Sequence, residues 1–183
     1  MNITPLPRLA FSLLAIASLC ATALTQDKLR VGDQAPDFLL PAATKDTIDM
    51  GGIHLSATVG NANIILAFYP ADWSGGCTKE MCTMRDNFAA LSGLHATVYG
   101  ISGDYLFSHR EWAKHLDLQF PLLSDHNHEA AKAYQSFNPA TGYNIRTVYV
   151  VDRKGRIAYI DLAYKPGAAE SFEHLKSALE STR

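Results

Sequence analysis

The feature that most constrains the fold is a buried strand that leads through a glycine turn into an amphipathic helix. Residues 64–69 (IILAFY) are apolar and β-prone, and Pro70 ends this run. From Cys77 onward no glycine or proline occurs until Gly93, and apolar side chains recur at three- and four-residue spacing. A second apolar strand follows at residues 96–102. This order predicts a right-handed βαβ unit.

The rest of the chain continues the alternation of strands and helices. Two earlier segments, residues 31–44 and 50–63, are predicted as an irregular entry and a glycine-rich insertion. Downstream, we predict a helix around residues 112–116, a short strand at 120–123, a helix at 129–134, strands at 147–151 and 157–162 joined by a hairpin turn, and a terminal helix at 168–181. A βαβ half followed by a β-hairpin and a helix predicts one α/β domain with a thioredoxin-like fold, in which helices flank a central mixed β-sheet.

Residues 1–23 have the pattern of a secretory signal peptide. A short polar start with Arg8 precedes an apolar run at residues 9–19 and a small-residue triplet at residues 21–23. The apolar run is shorter than the ~20 residues of a membrane-spanning helix, which argues against the alternative of a retained anchor. We therefore expect an exported protein, periplasmic or secreted, whose mature domain comprises residues 24–183 and has no stable association with a membrane.

Charge and histidine content exclude several classes of partner. The formal net charge is −2 at pH 7, so nothing indicates the basic surface that nucleic acid binding requires. His126 and His128 share one loop, but without cysteine partners they fall short of a four-ligand metal site. We predict neither a metal nor an organic cofactor, and we interpret the other histidines as surface or packing residues.

The two cysteines of the mature chain, Cys77 and Cys82, indicate redox chemistry. Cys77 lies in the first turn of the predicted helix, where unpaired N–H groups and the helix dipole favour a thiolate. In an intact helix a spacing of five residues separates the Cα atoms by about 8.6 Å, which exceeds the ~7 Å limit for a disulfide. The pair can therefore form a disulfide only if the first turn unwinds, and such a disulfide would be labile rather than structural.

The segment PADWSGGC at residues 70–77 resembles the active-site pattern of the peroxiredoxins, P-x-x-x-(T/S)-x-x-C. Pro70, Ser74 and Cys77 occupy its three fixed positions, with Ser74 in place of the commoner threonine. A cysteine five residues after Cys77 is similar to the peroxiredoxin Q (bacterioferritin comigratory protein) subgroup. Other segments similar to the family occur along the chain in the family's order, namely GDQAPDF at residues 32–38, FYP at 68–70, FPLLSD at 120–125 and RTVYVVDRKG at 146–155.

The resemblance implies a peroxidase that reduces hydrogen peroxide and organic hydroperoxides through a sulfenic acid on Cys77. Pro70 would shield the thiolate, and the Ser74 hydroxyl would hydrogen-bond the thiolate and the peroxide. Arg146 would project toward the sulfur and orient the peroxide, while Glu80 would hold the guanidinium in place.

The same resemblance implies that Cys82 resolves the sulfenic acid as an intramolecular disulfide. A thioredoxin-like protein or another dithiol reductase would then recycle the enzyme. Because both cysteines lie in one chain, we expect a monomer or a weak dimer.

Several alternatives stay open at this point. Cys82 could be a core residue of a one-cysteine peroxidase, Arg146 a solvated charge at the start of a strand, and Glu80 an acid in the first turn of a helix. The protein could also exchange disulfides in other exported proteins, although the C-x-x-C spacing is absent. A third class is a non-enzymatic binding module, because a fold does not fix a function.

Overall fold

The computed structural model of this protein describes Met1 and residues 28–182. Apart from Met1, the segment predicted to be a signal peptide lies outside the described residues, and so does the predicted boundary after residue 23. Among the described residues, no helix is both long enough and apolar enough to span a bilayer.

A seven-stranded mixed sheet forms the centre of the molecule. The described residues form nine strands, of which seven belong to this sheet. They are β1 (Leu39–Ala43), β2 (Ile48–His54), β3 (Asn63–Phe68), β4 (Ala96–Ser102), β5 (Leu122–Ser124), β6 (Phe137–Asn138), β7 (Tyr143–Asn144), β8 (Thr147–Val151) and β9 (Ile157–Asp161). Their order in the sheet is β2-β1-β5-β4-β3-β8-β9, and β6 and β7 form a separate pair. Strands β3, β4 and β5 are parallel to one another, whereas β8 is antiparallel to β3.

Helices cover both faces of this sheet. They are α1 (Leu55–Thr58), α2 (Gly75–Asp86), α3 (Phe88–Gly93), α4 (Leu106–Leu116), α5 (Glu129–Ala133) and α6 (Ala169–Ser181). Every residue of β3 is buried. On one face of the sheet, Ile65 and Ala67 pack in a core cluster with α2, α4 and α6. On the other face, Ile64, Leu66 and Phe68 pack in a cluster with α1 and α5. Burial on both faces explains why the sequence of this strand is a continuous apolar run. The prediction of a thioredoxin-like α/β fold is confirmed.

Strands β1 and β2 correct the prediction of an irregular entry and a glycine-rich insertion. They form an antiparallel hairpin whose register shifts between Leu40 and Ala42, so the alternation of apolar and polar residues is broken. Gly52 has a φ of +78° and packs against the backbone at Leu40, where a Cβ atom would collide. The glycine that indicated a loop therefore permits a close approach of two strands.

The helix that carries Cys77 also differs from its prediction. A single helix from Cys77 to Gly93 was expected, but α2 begins at Gly75 and α3 begins at Phe88. Asn87 separates them, with its side chain donating a hydrogen bond to the Thr83 carbonyl at 2.9 Å. Cys77 is thus the third residue of α2.

Candidate active site

Cys77 lies at the point where the chain leaves the central strand and begins α2. Its side chain is fully buried. The Thr78 N–H is bonded to the Ser74 carbonyl at 2.8 Å, whereas Ser74 makes no side-chain cap on the helix. The N–H groups of the first turn, in which Cys77 lies, therefore receive no cap from Ser74, and they favour negative charge on the sulfur.

The sheet topology brings Arg146 to this sulfur. Strand β8 pairs with β3 so that Phe68 lies opposite Thr147, and Arg146 immediately precedes β8. Its Nη2 atom lies 3.4 Å from Cys77 Sγ. The same nitrogen would lie 3.1 Å from a Cβ atom on Gly76, so the absence of a side chain at Gly76 leaves room for the guanidinium.

Glu80 holds the other side of the guanidinium. The Arg146 Nη1 atom donates a hydrogen bond to Glu80 Oε2, and the two groups form an ion pair. The Glu80 side chain is fully buried and lies in the second turn of α2, so it is not the first-turn acid considered from the sequence. The structure thus brings Cys77, Arg146 and Glu80 together.

Burial and pairing oppose each other in the electrostatics of this cluster. Burial raises the pKa of Glu80 to about 7, although the neighbouring Arg146 charge lowers it. Burial by itself lowers the pKa of Arg146, but the interactions with Glu80 and Cys77 outweigh this effect and raise the pKa above its usual value. At neutral pH the site therefore has a permanent cation and a carboxyl group close to its titration midpoint.

Pro70 and Ser74 lie at the two ends of the active-site loop. Pro70 follows β3 and is half-buried. The Ser74 hydroxyl donates a hydrogen bond to the Ala71 carbonyl at 3.1 Å, so in the described part of the chain it closes the loop rather than contacting Cys77 Sγ. Pro70 lines a pocket of about 90 Å³ together with Gly103, Asp104, His128, Gly142 and Tyr143.

Cys82 lies on the same helix as Cys77 but on a different face. It is partly buried against the core cluster that contains Cys77, and both thiols are free. Because α2 is unbroken between them, ideal helix geometry places their Cα atoms about 8.6 Å apart. A disulfide between them requires the first turn of α2 to unwind.

The sequence analysis assigned no role to Asp72, a buried carboxylate within the active-site loop. Asp72 accepts hydrogen bonds from the Tyr69 hydroxyl at 2.8 Å and the Ser108 hydroxyl at 2.7 Å. Its Oδ2 atom also lies 2.9 Å from Nδ1 of His109, and the side chains of Asp72 and His109 are at most 1% exposed. Burial and the Asp72 charge raise the pKa of Tyr69, so this phenol stays a donor.

This Asp72 network joins the loop to α4 and to the end of β4. The Asp72 N–H donates to Asp104 at 2.7 Å, and the Trp73 indole donates to Ser108 at 3.2 Å. Trp73 has a φ of 60°, an uncommon backbone conformation for a bulky residue that the surrounding hydrogen bonds hold in place. The interpretation of His109 as an unremarkable packing residue was therefore incomplete.

The histidines of the loop between β5 and α5 have local structural contacts. A ring nitrogen of His126 lies 3.2 Å from the Gly103 carbonyl oxygen, and Nδ1 of His128 lies 2.8 Å from Asn144 Oδ1. Asp125 accepts hydrogen bonds from the N–H groups at the start of α5. These contacts order the loop beside the 90 Å³ pocket.

Comparison with known proteins identifies the family. The AhpC/TSA family model matches residues 31–160, which include the whole Cys77–Arg146–Glu80 cluster. This chain belongs to the AhpC/TSA family. The resemblance to peroxiredoxins that was drawn from the sequence motifs is confirmed.

Among AhpC/TSA relatives, a chloroplastic peroxiredoxin Q of Triticum aestivum is 35% identical over 144 residues, which are 76% of this chain and 62% of that protein. The chain thus spans less than two thirds of the length of the first relatives that it matches.

Two solved structures are similar to this chain in fold. Peroxidoxin BcpB from Mycobacterium tuberculosis has a TM-score of 0.74 and 26% identity, covering 85% of this chain and 99% of that one. AhpC from Enterococcus faecalis has a TM-score of 0.74 and 25% identity, covering 84% and 92% respectively.

Proposed function

We propose that this protein is a thiol peroxidase that reduces hydrogen peroxide and organic hydroperoxides with Cys77. The observation that carries the proposal is the Arg146 guanidinium 3.4 Å from Cys77 Sγ at a helix N-terminus. This arrangement stabilises an anionic sulfur and offers a cation to a peroxide oxygen that develops negative charge. Family membership supports the same chemistry.

The first step is a nucleophilic substitution at oxygen. The Cys77 thiolate attacks one peroxide oxygen, an S–O bond forms and the O–O bond breaks. Cys77 becomes a sulfenic acid, and the leaving oxygen takes a proton to depart as water or an alcohol. Arg146 donates hydrogen bonds in this step, Glu80 orients Arg146, and Pro70 and Ser74 shape the loop around the reacting atoms.

The second step is resolution by Cys82. Its sulfur attacks the sulfur of the Cys77 sulfenic acid, so that a disulfide forms and water leaves with the thiol proton. Because helical geometry keeps the two residues about 8.6 Å apart, the first turn of α2 unwinds in this step. Gly75 and Gly76 open that turn, and glycine is a poor helix former, so unwinding is inexpensive there.

A dithiol returns the protein to its reduced state. We propose a thioredoxin-like protein or another dithiol reductase as the partner, because two successive exchanges with a dithiol reduce one disulfide. Both cysteines belong to one chain, so a monomer suffices for the cycle. Size-exclusion chromatography with light scattering, on the reduced and the oxidised protein, measures the oligomeric state.

We also propose that residues 1–23 direct export and are removed. The support is their pattern of a polar start, a short apolar run and small residues. The intact mass of the protein recovered from its natural cell tests this proposal. A chain that begins near residue 24 supports it, and a full-length chain in the membrane fraction contradicts it.

The test of the peroxidase is the intact mass of the reduced protein after one equivalent of hydrogen peroxide at neutral pH. We expect the loss of two hydrogens in a monomer. Cys82→Ser should instead gain one oxygen, and Cys77→Ser should keep its mass.

An unchanged wild-type mass in this experiment contradicts the peroxidase. Rapid reduction of insulin disulfides would then favour a disulfide oxidoreductase. If Cys82→Ser turns over peroxide with a thioredoxin system as fast as the wild type, Cys82 has no resolving role.

A further inference from the structure

Three buried side-chain polar atoms have no hydrogen-bond partner in the part of the chain that the structure describes. They are Asn63 Oδ1, Glu80 Oε1 and Tyr164 Oη. Buried polar atoms are nearly always paired, so each exception points to an interaction that needs an explanation. The Asn63 side-chain nitrogen, Nδ2, donates a hydrogen bond to the Thr182 hydroxyl at the C-terminal end of α6. The other two atoms belong to the surroundings of Cys77.

The connection that carries Tyr164 lies beside the helix that carries Cys77 and Glu80. Tyr164 lies in the connection between β9 and α6, is 3% exposed, and shares one core cluster with Cys77 and Met81. A Cβ atom on Gly167, in the same connection, would collide with the side chain of Lys79, the residue before Glu80. Burial and the nearby Glu80 charge both raise the pKa of Tyr164. The connection that carries Tyr164 therefore packs beside the Glu80 turn of α2, and Asp161 at the end of β9 is the other charge that acts on both groups.

The hydrogen-bonding capacity of these atoms is complementary. An ionised Glu80 accepts from Arg146 through Oε2, and its Oε1 atom can only accept a further bond. Asn63 Oδ1 is also an acceptor. Among the three unpaired atoms, Tyr164 Oη alone can donate.

We propose that Tyr164 is a positioning residue whose hydroxyl donates a hydrogen bond to one bridging water, which in turn donates to Glu80 Oε1. The bond stabilises the ionised carboxylate, which holds the Arg146 guanidinium at the Cys77 sulfur. Tyr164 therefore affects the position of Arg146 through Glu80 and does not contact the peroxide. This inference rests on the proposed peroxidase chemistry of Cys77 and Arg146.

The first test compares the full chain with its Tyr164→Phe variant, which keeps the ring and removes the donor. Loss of a hydrogen bond to the charged form raises the pKa of Glu80. We expect the second-order rate of Cys77 oxidation by hydrogen peroxide to fall about three- to tenfold at pH 6, below the midpoint of Glu80. The acidic midpoint of its pH profile should move upward by roughly half to one pH unit.

Two comparisons separate this role from packing. Tyr99→Phe removes a hydroxyl from a buried ring of the other core cluster, and it should leave the pH profile unchanged. In a Glu80→Gln background, adding Tyr164→Phe should change the rate less than about twofold, since no carboxylate is left to stabilise. A Tyr164→Phe profile that superimposes on the wild type, or a full rate loss in the Glu80→Gln background, overturns the proposal.

A direct measurement distinguishes this proposal from the peroxidase itself. Difference infrared spectroscopy follows the carboxyl band of Glu80, assigned with Glu80→Gln, through a pH titration without any peroxide. Tyr164→Phe should shift the frequency of this band and raise its midpoint. If the wild type fails to react with peroxide but the band shifts, the hydrogen bond stands and the peroxidase falls. An unshifted band contradicts the hydrogen bond in either case.

Discussion

Two buried acidic clusters flank Cys77, and they differ in how completely their hydrogen bonds are satisfied. On the loop side, both Asp72 oxygens accept from neighbouring side chains. On the helix side, Glu80 uses one oxygen for Arg146, and its other oxygen has no direct hydrogen-bond partner among the described residues. A satisfied network is rigid, whereas a partly satisfied carboxylate changes its charge readily. We conclude that Asp72 fixes the position of the loop and that Glu80 makes the site responsive.

The comparison predicts the largest loss of stability for Asp72→Ala. The substitution leaves the buried Tyr69 hydroxyl and His109 Nδ1 without their carboxylate. Removing one partner of a buried charged network costs about 3–5 kcal/mol in the free energy of unfolding. Urea denaturation of the reduced protein measures this quantity.

Asp86→Ala is the control for Asp72→Ala. Asp86 pairs with Arg85, but its side chain is 61% exposed. Its removal should cost less than about 1 kcal/mol. Equal costs for the two substitutions would contradict the view that the Asp72 network anchors the loop.

The raised pKa of Glu80 predicts that the free energy of unfolding decreases as pH rises. The pKa of this carboxyl group rises from 4.5 to about 7 on folding, so between these values the folded protein binds more protons than the unfolded chain. Stability therefore falls as pH rises from 4.5 to about 7, by roughly 3 kcal/mol from this group alone. Glu80→Gln should remove this slope in denaturation curves recorded across the interval.

Asp46→Asn provides the comparison for that slope, because Asp46 is an exposed acid. Its curves should keep the wild-type dependence on pH. A slope of the opposite sign in the wild type, or one unchanged in Glu80→Gln, would show that Glu80 titrates normally in the folded state.

Arg146→Gln tests the helix-side cluster by its chemistry. The variant loses the cation that lies 3.4 Å from Cys77 Sγ. We expect the rate of Cys77 oxidation to fall about 10²-fold, which corresponds to ~2.7 kcal/mol of transition-state stabilisation. Stopped-flow measurement of the Trp fluorescence change on peroxide addition gives the rate.

Arg156→Gln serves as the matched control, because Arg156 is an exposed cation that binds the Gly32 carbonyl at 2.9 Å. Its oxidation rate should equal that of the wild type. A loss smaller than about threefold in Arg146→Gln would assign the activation of Cys77 to the helix N-terminus alone.

The sequence predicts the two clusters unequally for physical reasons. Strands β4 and β8 were predicted with their observed bounds, because buried strands carry local apolar runs. Arg146 lies 69 residues from Cys77, and only the resemblance to a family connects them. His109 lies 37 residues from Asp72. Asp72 occupies a variable position of the PADWSGGC segment, and His109 belongs to no motif that the sequence analysis used. Periodicity reveals which faces are buried, but it does not reveal which polar side chains meet there.

Ser108→Ala gives the smallest expected effect and sharpens the comparison on the loop side. Its hydroxyl donates to Asp72 at 2.7 Å and accepts from the Trp73 indole at 3.2 Å. Because Asp72 keeps its contacts with Tyr69 and His109, the variant should lose only about 1–2 kcal/mol in the free energy of unfolding. The fluorescence of Trp73 should also change as its indole loses a partner.

Ser92→Ala removes an exposed hydroxyl from α3 and should change stability by less than about 0.5 kcal/mol. If Ser108→Ala instead costs as much as Asp72→Ala, the network fails as a unit when any one donor is lost. Rigidity would then arise from cooperativity among the donors rather than from the number of bonds that Asp72 accepts.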